Sequence, residues 1–339
     1  MNKTQRPTIF DLVNFTGISR GTISRAFNDQ KGINPRTKEK ILAAARKIGY
    51  LPHNGARMMK LGKTRRWGIL IPHLHNPYYA ELVDALNTES EQNGITLLIG
   101  ISNNDKKREA QLITQWTAGE TDGLILDQSH FYDNPTLFDH LKARGIAMVF
   151  LHGTPIPGFD FVKYELFEGV RRVMKYYEAL GHVRIGYAAQ NFPRCRETAR
   201  FLAYQKHTTA NGNKLDESLI YFGEDGVDGG ISAFRRWASL AEPPTAVVCA
   251  DDIVACGVMC GARTAGWVIP RDLSIVGVDD IAEGARVGLS TVKTNRANTA
   301  RAICELLEAR SKDFDRPPEV RVLPSELILR DSVDRPRSK

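Results

Sequence analysis

The first fifty residues place apolar side chains three and four positions apart, which is the spacing of short amphipathic helices. Thr8 and Asp11 form a capping-box pattern that predicts a first helix over residues 9–15, and Gly17 supplies a turn residue after it. Ser19 is placed to cap a second helix. Two short helices joined by a tight glycine turn indicate a helix-turn-helix unit.

A third helix is predicted to complete this unit. The second helix spans residues 20–27, Asn34 before Pro35 predicts the start of the third helix, and Gly49 marks its end. The apolar positions of these two helices are Ile23, Phe27, Ile41, Leu42, Ala45 and Ile48. Three short helices therefore share one small core.

Beyond residue 66, short apolar runs alternate with helical stretches. The runs that predict strands are Trp67–Pro72, Ile95–Ile101, Gly123–Asp127, Ala147–His152, Arg184–Ala189, Leu219–Phe222, Thr245–Ala250 and Leu273–Val278. This alternation predicts parallel sheets with helices on both faces, and the length favours two such α/β lobes. Ligands in open α/β sheets bind at the carboxyl ends of the strands, so a cleft between the lobes is predicted to hold a small molecule.

The net charge changes sign along the chain close to the point where the helical pattern gives way to alternating strands and helices. Residues 1–66 hold 15 Lys and Arg against 3 Asp and Glu, a net charge of +12, whereas the remaining residues carry a net charge of −5. A basic folded segment attached to a mildly acidic body is typical of proteins that read nucleic acid. No apolar run approaches the roughly 18 residues of a membrane span.

The N-terminus and the cysteines bear on location and cofactors. No apolar signal core opens the chain, which predicts a cytoplasmic protein. The five cysteines lack C-x-x-C spacing and are expected to be packed thiols. Cys256 and Cys260 lie four apart on a predicted helix, but neither a second pair nor a suitable His lies nearby, so no metal and no cofactor are predicted.

Two enzyme-like motifs do not fit their surroundings. Residues 17–21 match G-x-S-x-G, but a nucleophile elbow needs a strand before the serine, and a helix is predicted before Ser19. Gly62-Lys63-Thr64 resembles the end of a phosphate loop, but its spacing from Gly55 is two residues too long. An enzyme is therefore the weaker interpretation. A sugar-binding transport protein would need an export signal and would have no use for the basic segment.

The second helix is predicted to enter the major groove of DNA with its N-terminal side chains towards the bases. Arg20 and Arg25 are candidates for reading guanine, because arginine bonds bidentately to its O6 and N7 atoms. Gly21 has no side chain with which to read. The side chains better suited to phosphates are those of Ser19, Thr22, Asn28, Asn34 and Thr37.

One long segment carries a family resemblance: TIFDLVNFTGISRGTISRAFNDQKGINPRTKEKILAAARKIGYLPHNGARMM. It resembles the DNA-binding domain of LacI-family bacterial transcription regulators. The similarity continues in order through RRWGILIPHLHNPYYAELV, PPTAVVCADDIVACGVM, LSIVGVDDI, LSTVKTN and LPSELILRDS, and it covers residues 6–332. The family implies a sequence-specific regulator, a repressor controlled by a small molecule, rather than an enzyme.

The resemblance also implies how the chain is divided. We expect a helix-turn-helix domain over residues 1–51, a hinge over 52–64, a two-lobed, periplasmic-binding-protein-like effector body over 65–332 and a short tail over 333–339. The segment after Asp331 lacks the heptads of a coiled-coil tetramer, so we expect a homodimer on a pseudo-palindromic operator.

In the family the hinge segment folds on DNA and inserts an apolar side chain into the minor groove. Met59 aligns with that position, and methionine can part a base step. Gly55 is expected to weaken the isolated helix by about 1 kcal/mol. Further DNA contacts are expected from Thr8, Ser24, His53, Ala56, Arg57 and Met59.

The resemblance places the effector pocket at the carboxyl ends of the predicted strands. Its candidate residues are Tyr78, Tyr79, His152, Arg200, Asp225, Asp251 and Asp279. The tyrosines offer flat faces for stacking on a sugar ring, and Arg200 and Asp279 match the family's ligand-binding arginine and aspartate. Asp251 stands where the family commonly has asparagine, which puts the usual contact in doubt.

His152 likewise stands where the family often has aspartate, and Asp225 and Arg296 align with variable pocket positions. Arginine with several carboxylates can pair with hydroxyl groups, which favours a polyol or a sugar as the effector. A cationic ligand is the alternative.

Overall fold

The N-terminal unit of this computed structural model is a three-helix head. The structure describes residues 7–27, 33–51, 63–127, 135–153, 155–192 and 194–337, and the chain divides into residues 1–64, the head, and 65–339, the body. The helices of the head are α1 (Ile9–Thr16), α2 (Arg20–Phe27) and α3 (Pro35–Ile48). All three helices predicted from the pattern are confirmed.

Local hydrogen bonds explain where these helices begin and end. The Thr8 hydroxyl accepts from the backbone N–H of Asp11, and the Asp11 carboxylate accepts from that of Thr8, so the capping box is complete. Gly17 ends α1 with a left-handed φ of 68°. The buried core of the head consists of Leu12, Ile23, Ala26, Ile41, Ala44, Ala45 and Tyr50.

The body alternates strands and helices. Its described strands are β1 (Arg66–Ile71), β2 (Thr96–Ile101), β3 (Gly123–Asp127), β4 (Ala147–Leu151), β5 (Asp160–Tyr164), β6 (Ile185–Gln190), β7 (Ile220–Gly223), β8 (Ala246–Cys249), β9 (Ser274–Asp279), β10 (Ser290–Lys293), β11 (Val320–Leu323) and β12 (Glu326–Ile328). Its described α-helices are α4 (Pro77–Gln92), α5 (Lys106–Thr117), α6 (Pro135–Ala143), α7 (Leu166–Leu180), α8 (Ala199–Thr208), α9 (Gly226–Ala238), α10 (Asp252–Thr264), α11 (Ala282–Arg286) and α12 (Arg296–Lys312). None of the described helices is long and apolar enough to cross a membrane.

The strands form two six-stranded sheets, one in each lobe. The sheet of lobe 1 has the order β11-β5-β4-β3-β1-β2 and is parallel throughout. The sheet of lobe 2 has the order β12-β10-β9-β8-β6-β7, and only β12 runs antiparallel. Each sheet is buried on both faces by apolar clusters. The two α/β lobes predicted from the alternation are confirmed.

The chain crosses between the lobes three times within the part that the structure describes: from β5 to α7, from β10 to α12 and from β11 to β12. Hydrogen bonds join these crossings. Arg172 donates to the Ser325 carbonyl (2.5 Å) and hydroxyl (2.9 Å), and the Ser325 hydroxyl donates to the Glu165 carbonyl (3.1 Å). The Tyr164 and Thr299 hydroxyls are also hydrogen-bonded. The crossings therefore form one connected hinge.

The eight predicted strands are present, with each end within one residue of the prediction. The pattern did not predict β5, β10, β11 and β12. These strands are short, and charged residues interrupt them, as in DFVKY and VRVL, so their apolar runs fall below the length of a clear signal. These strands form because they pair with neighbouring strands in the sheets, and their own apolar pattern does not reveal them.

Candidate functional sites

One face of α2 in the head is exposed and polar. Ile23 and Ala26 are buried in the head core, so the opposite face presents Arg20, Gly21 and Arg25 to solvent. Open space lies where a Gly21 side chain would stand. A flat, basic helix face of this kind can approach a DNA groove closely.

Several side chains at the start of α2 form hydrogen bonds with groups of the same helix. The Ser19 hydroxyl accepts from the backbone N–H of Thr22 (3.3 Å) and lies 3.0 Å from the Thr22 hydroxyl, so it caps α2. Arg25 Nε donates to the Gly21 carbonyl (3.4 Å), and Arg20 lies 5.7 Å from the centre of the Phe10 ring. A helix rather than a strand precedes Ser19, in keeping with a capping residue rather than a nucleophile.

The other DNA-contact candidates differ in exposure. Thr8 and Asn34 are exposed N-caps of α1 and α3, and the Asn34 side chain accepts from the backbone N–H of Arg36 (2.9 Å). Ser24 and Thr37 are half-buried. Five candidates lie outside the described residues: Asn28, His53, Ala56, Arg57 and Met59. Their predicted contacts stay predictions.

In the body, the candidate effector residues stand at the carboxyl ends of strands in both lobes. His152 follows β4, Asp251 follows β8 and Asp279 ends β9. Tyr78 and Tyr79 lie in the first turn of α4. These ends face the cleft, where open α/β sheets hold their ligands.

The lobe 1 side of the cleft is a connected set of polar groups. The Tyr78 hydroxyl lies 2.6 Å from His152 Nε2, and His152 Nδ1 lies 3.3 Å from Asp127 Oδ2. Tyr79 donates to the same Asp127 oxygen (2.7 Å). Burial raises the pKa of both tyrosines well above the ordinary value, so both remain neutral donors.

The structure corrects the expectation that both tyrosines offer a flat face to the effector. Tyr78 is only 5% exposed, and the Arg296 guanidinium lies over its ring, 5.0 Å from the ring centre. Tyr79 is half-buried, and its ring meets the edges of Tyr78 and His73. Their hydroxyl networks, rather than two open ring faces, line this side of the cleft.

The lobe 2 side brings one arginine close to two carboxylates. Arg200 lies in the first turn of α8 and donates to the Ala250 carbonyl (2.6 Å). Asp251 caps α10, since its Oδ1 accepts from the backbone N–H of Val254 (2.8 Å). Asp279 is 8% exposed, and its backbone has a left-handed φ of 115°. Such backbone strain in a non-glycine residue is concentrated at functional sites.

Burial controls the electrostatics of this group. It raises the pKa of Asp279 to about 7, although the nearby Arg296 and Arg200 oppose the shift. Burial also raises the pKa of Asp251. For Arg200 burial works against the charge, but Tyr187, Asp279 and Asp251 outweigh it and raise the pKa. A fixed cation thus stands beside Asp279, which can accept or donate a hydrogen bond near neutral pH.

Polar contacts also join the two lobes across the cleft. Arg296 donates to the Asp279 carbonyl, and its Nη2 lies 3.0 Å from Glu81 Oε2 on α4. The other Glu81 oxygen accepts from the backbone N–H of Ala282 in lobe 2 (3.2 Å). Asp225, which precedes α9, lies within 3.3 Å of His73 and His75 of lobe 1. Relative movement of the lobes would break these contacts.

Comparisons with known proteins decide the family. Residues 8–53 match the family model described as bacterial regulatory proteins, lacI family, and residues 174–333 match that of a periplasmic binding protein-like domain. The chain belongs to the LacI family of bacterial transcription regulators. It is therefore a transcription regulator and not an enzyme.

Known relatives are similar to this LacI-family chain over most of its length. The transcriptional repressor PurR of Mannheimia succiniciproducens is 25% identical over 330 residues, which cover 96% of this chain and 98% of the relative. PurR of one Escherichia coli strain is 29% identical over 276 residues, 81% of either chain. The lac repressor dimer bound to operator and the anti-inducer ONPF has the same fold, with a TM-score of 0.80, 20% identity and coverage of 97% of this chain and 100% of that one.

Several cleft residues of this LacI-family protein escaped the sequence analysis. Asp127 ends a predicted strand, so the rule that selected Asp279 could have found it. Glu81 carries no local signal, because it is an ordinary acidic position on a helix. His73 and His75 follow the first strand two positions apart, which is a signal that the sequence analysis did not use.

Proposed function

We propose that this protein is a cytoplasmic repressor that binds a pseudo-palindromic operator as a homodimer. The exposed face of α2, with Arg20 and Arg25, reads bases, and the surrounding hydroxyl and amide groups contact phosphates. The net charge of +12 over residues 1–66 supports this role, because phosphate neutralisation supplies much of the affinity for DNA.

We further propose that the effector is a sugar or a sugar derivative bound between the lobes. The observation that carries this proposal is the grouping of Arg200 with Asp251 and Asp279 at the carboxyl ends of the strands. A guanidinium donates pairs of hydrogen bonds and carboxylates accept them, so neighbouring hydroxyl groups satisfy both. On the opposite wall, the Tyr79 hydroxyl donates its proton to Asp127, and its oxygen can still accept a hydrogen bond from a polyhydroxylated ring.

The effector would control DNA binding through the angle between the lobes. The contact of Glu81 with Ala282 and that of Arg296 with the Asp279 carbonyl join lobe 1 to lobe 2, so a ligand held by both lobes favours one arrangement of the hinge. A ligand shifts this equilibrium only as far as its affinities for the two states differ.

The test combines DNA retention with a thermal-shift screen. The full-length protein should retain specific duplexes in a gel shift that weakens steeply with salt. In a panel of sugars, sugar phosphates, sugar acids, purine bases and polyamines, a sugar should raise the melting temperature. Arg200→Ala should abolish that shift, whereas Arg271→Ala, which removes an exposed arginine of lobe 2, should leave it unchanged.

The outcomes separate the two proposals. A melting shift with purine bases or polyamines alone would overturn the sugar effector and leave the repressor standing. A shift that survives Arg200→Ala would overturn the assigned pocket. No preference among duplexes at physiological salt would overturn the proposed operator binding itself.

A further inference from the structure

Two histidines of lobe 1 and an aspartate of lobe 2 converge on one point. His73 and His75 lie in the loop between β1 and α4, and Asp225 lies between β7 and α9. Nε2 of His73 is 3.0 Å from Asp225 Oδ2, and Nε2 of His75 is 3.3 Å from the same oxygen. Two imidazole nitrogens and a carboxylate oxygen therefore face one another across the cleft.

The spacing of these three atoms suits a metal ion. Zinc binds imidazole nitrogen and carboxylate oxygen at about 2.0–2.2 Å, so ligand atoms at the corners of a tetrahedral site stand roughly 3.3–3.6 Å apart. The observed nitrogen–oxygen distances of 3.0 and 3.3 Å differ from that edge by a few tenths of an ångström. The three ligand atoms also all lie within 4.8 Å of one another. Small side-chain movements would admit an ion.

The surrounding contacts leave these ligand atoms available. Asp225 uses its other oxygen, Oδ1, to accept from the backbone N–H of Gly226 (2.8 Å), which orients the carboxylate and keeps Oδ2 towards the histidines. The His73 and His75 rings are stacked, with centres 3.6 Å apart and planes 17° apart. The lone pair of an imidazole nitrogen lies in the plane of its ring, so an ion bound by both Nε2 atoms requires the exposed His75 ring to tilt out of this stack.

The His73 ring has a polar contact at Nε2 and none at Nδ1 among the described residues. Its side chain is only 12% exposed, and its Nδ1 is buried without a hydrogen-bond partner among the described residues. Three contacts hold the ring: the Asp225 carboxylate at Nε2, the stacked His75 ring and the Tyr79 ring. An ion at Nε2 would hold the ring more firmly than the Asp225 contact alone does.

We propose that His73, His75 and Asp225 bind a divalent transition-metal ion of the zinc type that ties lobe 1 to lobe 2. The nitrogen and oxygen donors suit zinc better than magnesium or calcium, which prefer oxygen alone. Three protein ligands leave a fourth position for water or for a donor atom of the effector. The ion favours the closed cleft, because only that state holds ligands of both lobes together.

This inference does not depend on the identity of the effector or on DNA binding, and it revises the expectation that the chain holds no metal. The sequence analysis considered the cysteines, whereas the ligands are two histidines and an aspartate 150 positions further along. A local sequence motif cannot include a ligand that lies 150 residues away.

The experiment titrates the full-length protein, freed of any histidine tag, with zinc sulfate in a calorimeter and with cobalt(II) in a spectrophotometer. We expect one ion per chain and the intense visible absorption of tetrahedral cobalt. His73→Gln, His75→Gln and Asp225→Asn should each weaken zinc binding by at least about ten-fold. His140→Gln, which alters an exposed histidine on α6, should leave it unchanged.

A second measurement reads the closure of the lobes. Zinc should reduce the radius of gyration or the protease sensitivity of the unmodified protein, and Asp225→Asn should remove this effect. Asp225→Asn keeps the side-chain size, so it tests the site even where a histidine variant fails to fold. No saturable zinc binding, octahedral cobalt only, or binding that survives His73→Gln with His75→Gln would overturn the proposal.

Discussion

The head and the body carry their charges in opposite ways. In the head, Arg20 and Arg25 are exposed and contact only their own helix and the Phe10 ring among the partners that the structure describes. In the body, Asp279 is 8% exposed, and the Arg296 side chain is 9% exposed against Glu81. The α2 face of the head holds its charged groups in water, and the cleft of the body holds these groups away from it.

Exposed and buried charges suit different kinds of ligand recognition. Exposed charges cost little to maintain, attract DNA from a distance and are screened by salt. Buried charges must be paired, because an unpaired one costs several kcal/mol, and their partners fix their positions. We therefore expect the head to respond to ionic strength and the body to pH and to single changes of charge.

Removal of a buried carboxylate should have the largest effect on stability. Asp160 is fully buried and binds Arg310 through both of its oxygens (2.9 and 3.0 Å) and Arg316 through one (2.7 Å). Asp160→Ala leaves two cations without their anion, so we expect it to lower the free energy of unfolding by about 3–5 kcal/mol. Denaturant unfolding of the full-length protein measures this loss.

The matched control removes an exposed carboxylate of the same body. Glu168 pairs with Arg171 at the surface of α7, with both side chains about two-fifths exposed. Glu168→Ala should cost much less stability than Asp160→Ala, because water screens an exposed ion pair. Equal losses in the two variants would contradict the distinction between buried and exposed charges.

The second prediction concerns pH. The pKa of Asp279 is about 7 in the folded protein against 3.8 for the free group, so between these values the folded state binds a proton that the unfolded state has lost. Stability should then fall as pH rises from about 4 to 7 and level off above, by no more than about 4 kcal/mol. Asp279→Asn, which keeps the side chain neutral, should remove this slope.

Denaturant unfolding at several pH values between 4.5 and 8 tests the sign. The wild-type free energy of unfolding minus that of Asp279→Asn should decrease as pH rises towards 7. A difference that grows with pH would show that Asp279 is instead stabilised as an anion in the folded protein.

The smallest of the three effects is expected in the head. If Arg25 reads a guanine, Arg25→Ala should weaken operator binding by about 1–3 kcal/mol, or roughly 5- to 150-fold, and relax the preference at one base pair. Competitive gel shifts with a set of single-base operator variants measure both quantities.

The control is Arg46→Ala, which removes an equal charge from an exposed position in the last turn of α3. It should lower affinity less and leave the order of preference among operator variants unchanged. A uniform loss for Arg25→Ala across all variants would assign Arg25 to a phosphate instead of a base.

Local signals accounted for most of the elements. Thr8 with Asp11 and Asn34 with Pro35 marked helix starts, since the capping bonds join residues at most three positions apart. Apolar runs located eight strands, because β1, β3, β4, β8 and β9 lie inside their sheets and are buried on both faces. The strands β5, β10, β11 and β12 escaped, because charged residues interrupt their short apolar runs.

The rule that ligands bind at the carboxyl ends of strands gave a candidate pocket, but it did not give the direction of each side chain. Strand ends pointed to Asp251 and Asp279, yet the pattern could not separate Asp251 from its neighbour Asp252. The structure shows that Asp252 is buried and binds the Thr291 hydroxyl (2.6 Å) and the Ile281 backbone N–H (2.9 Å), so it supports the loop instead of facing a ligand. The direction of each side chain depends on strands that are far apart in the chain.

The helices of the head, the two α/β lobes, the division of charge and the family could all be recognised from neighbouring residues, because periodicity, capping and motif order are local properties. Packing in three dimensions brings distant groups together. Arg296 over Tyr78, Glu81 across the cleft and Asp225 against His73 all join positions that are distant in the chain. Their proximity results from how the sheets and the hinge pack, which is why no local pattern contained it.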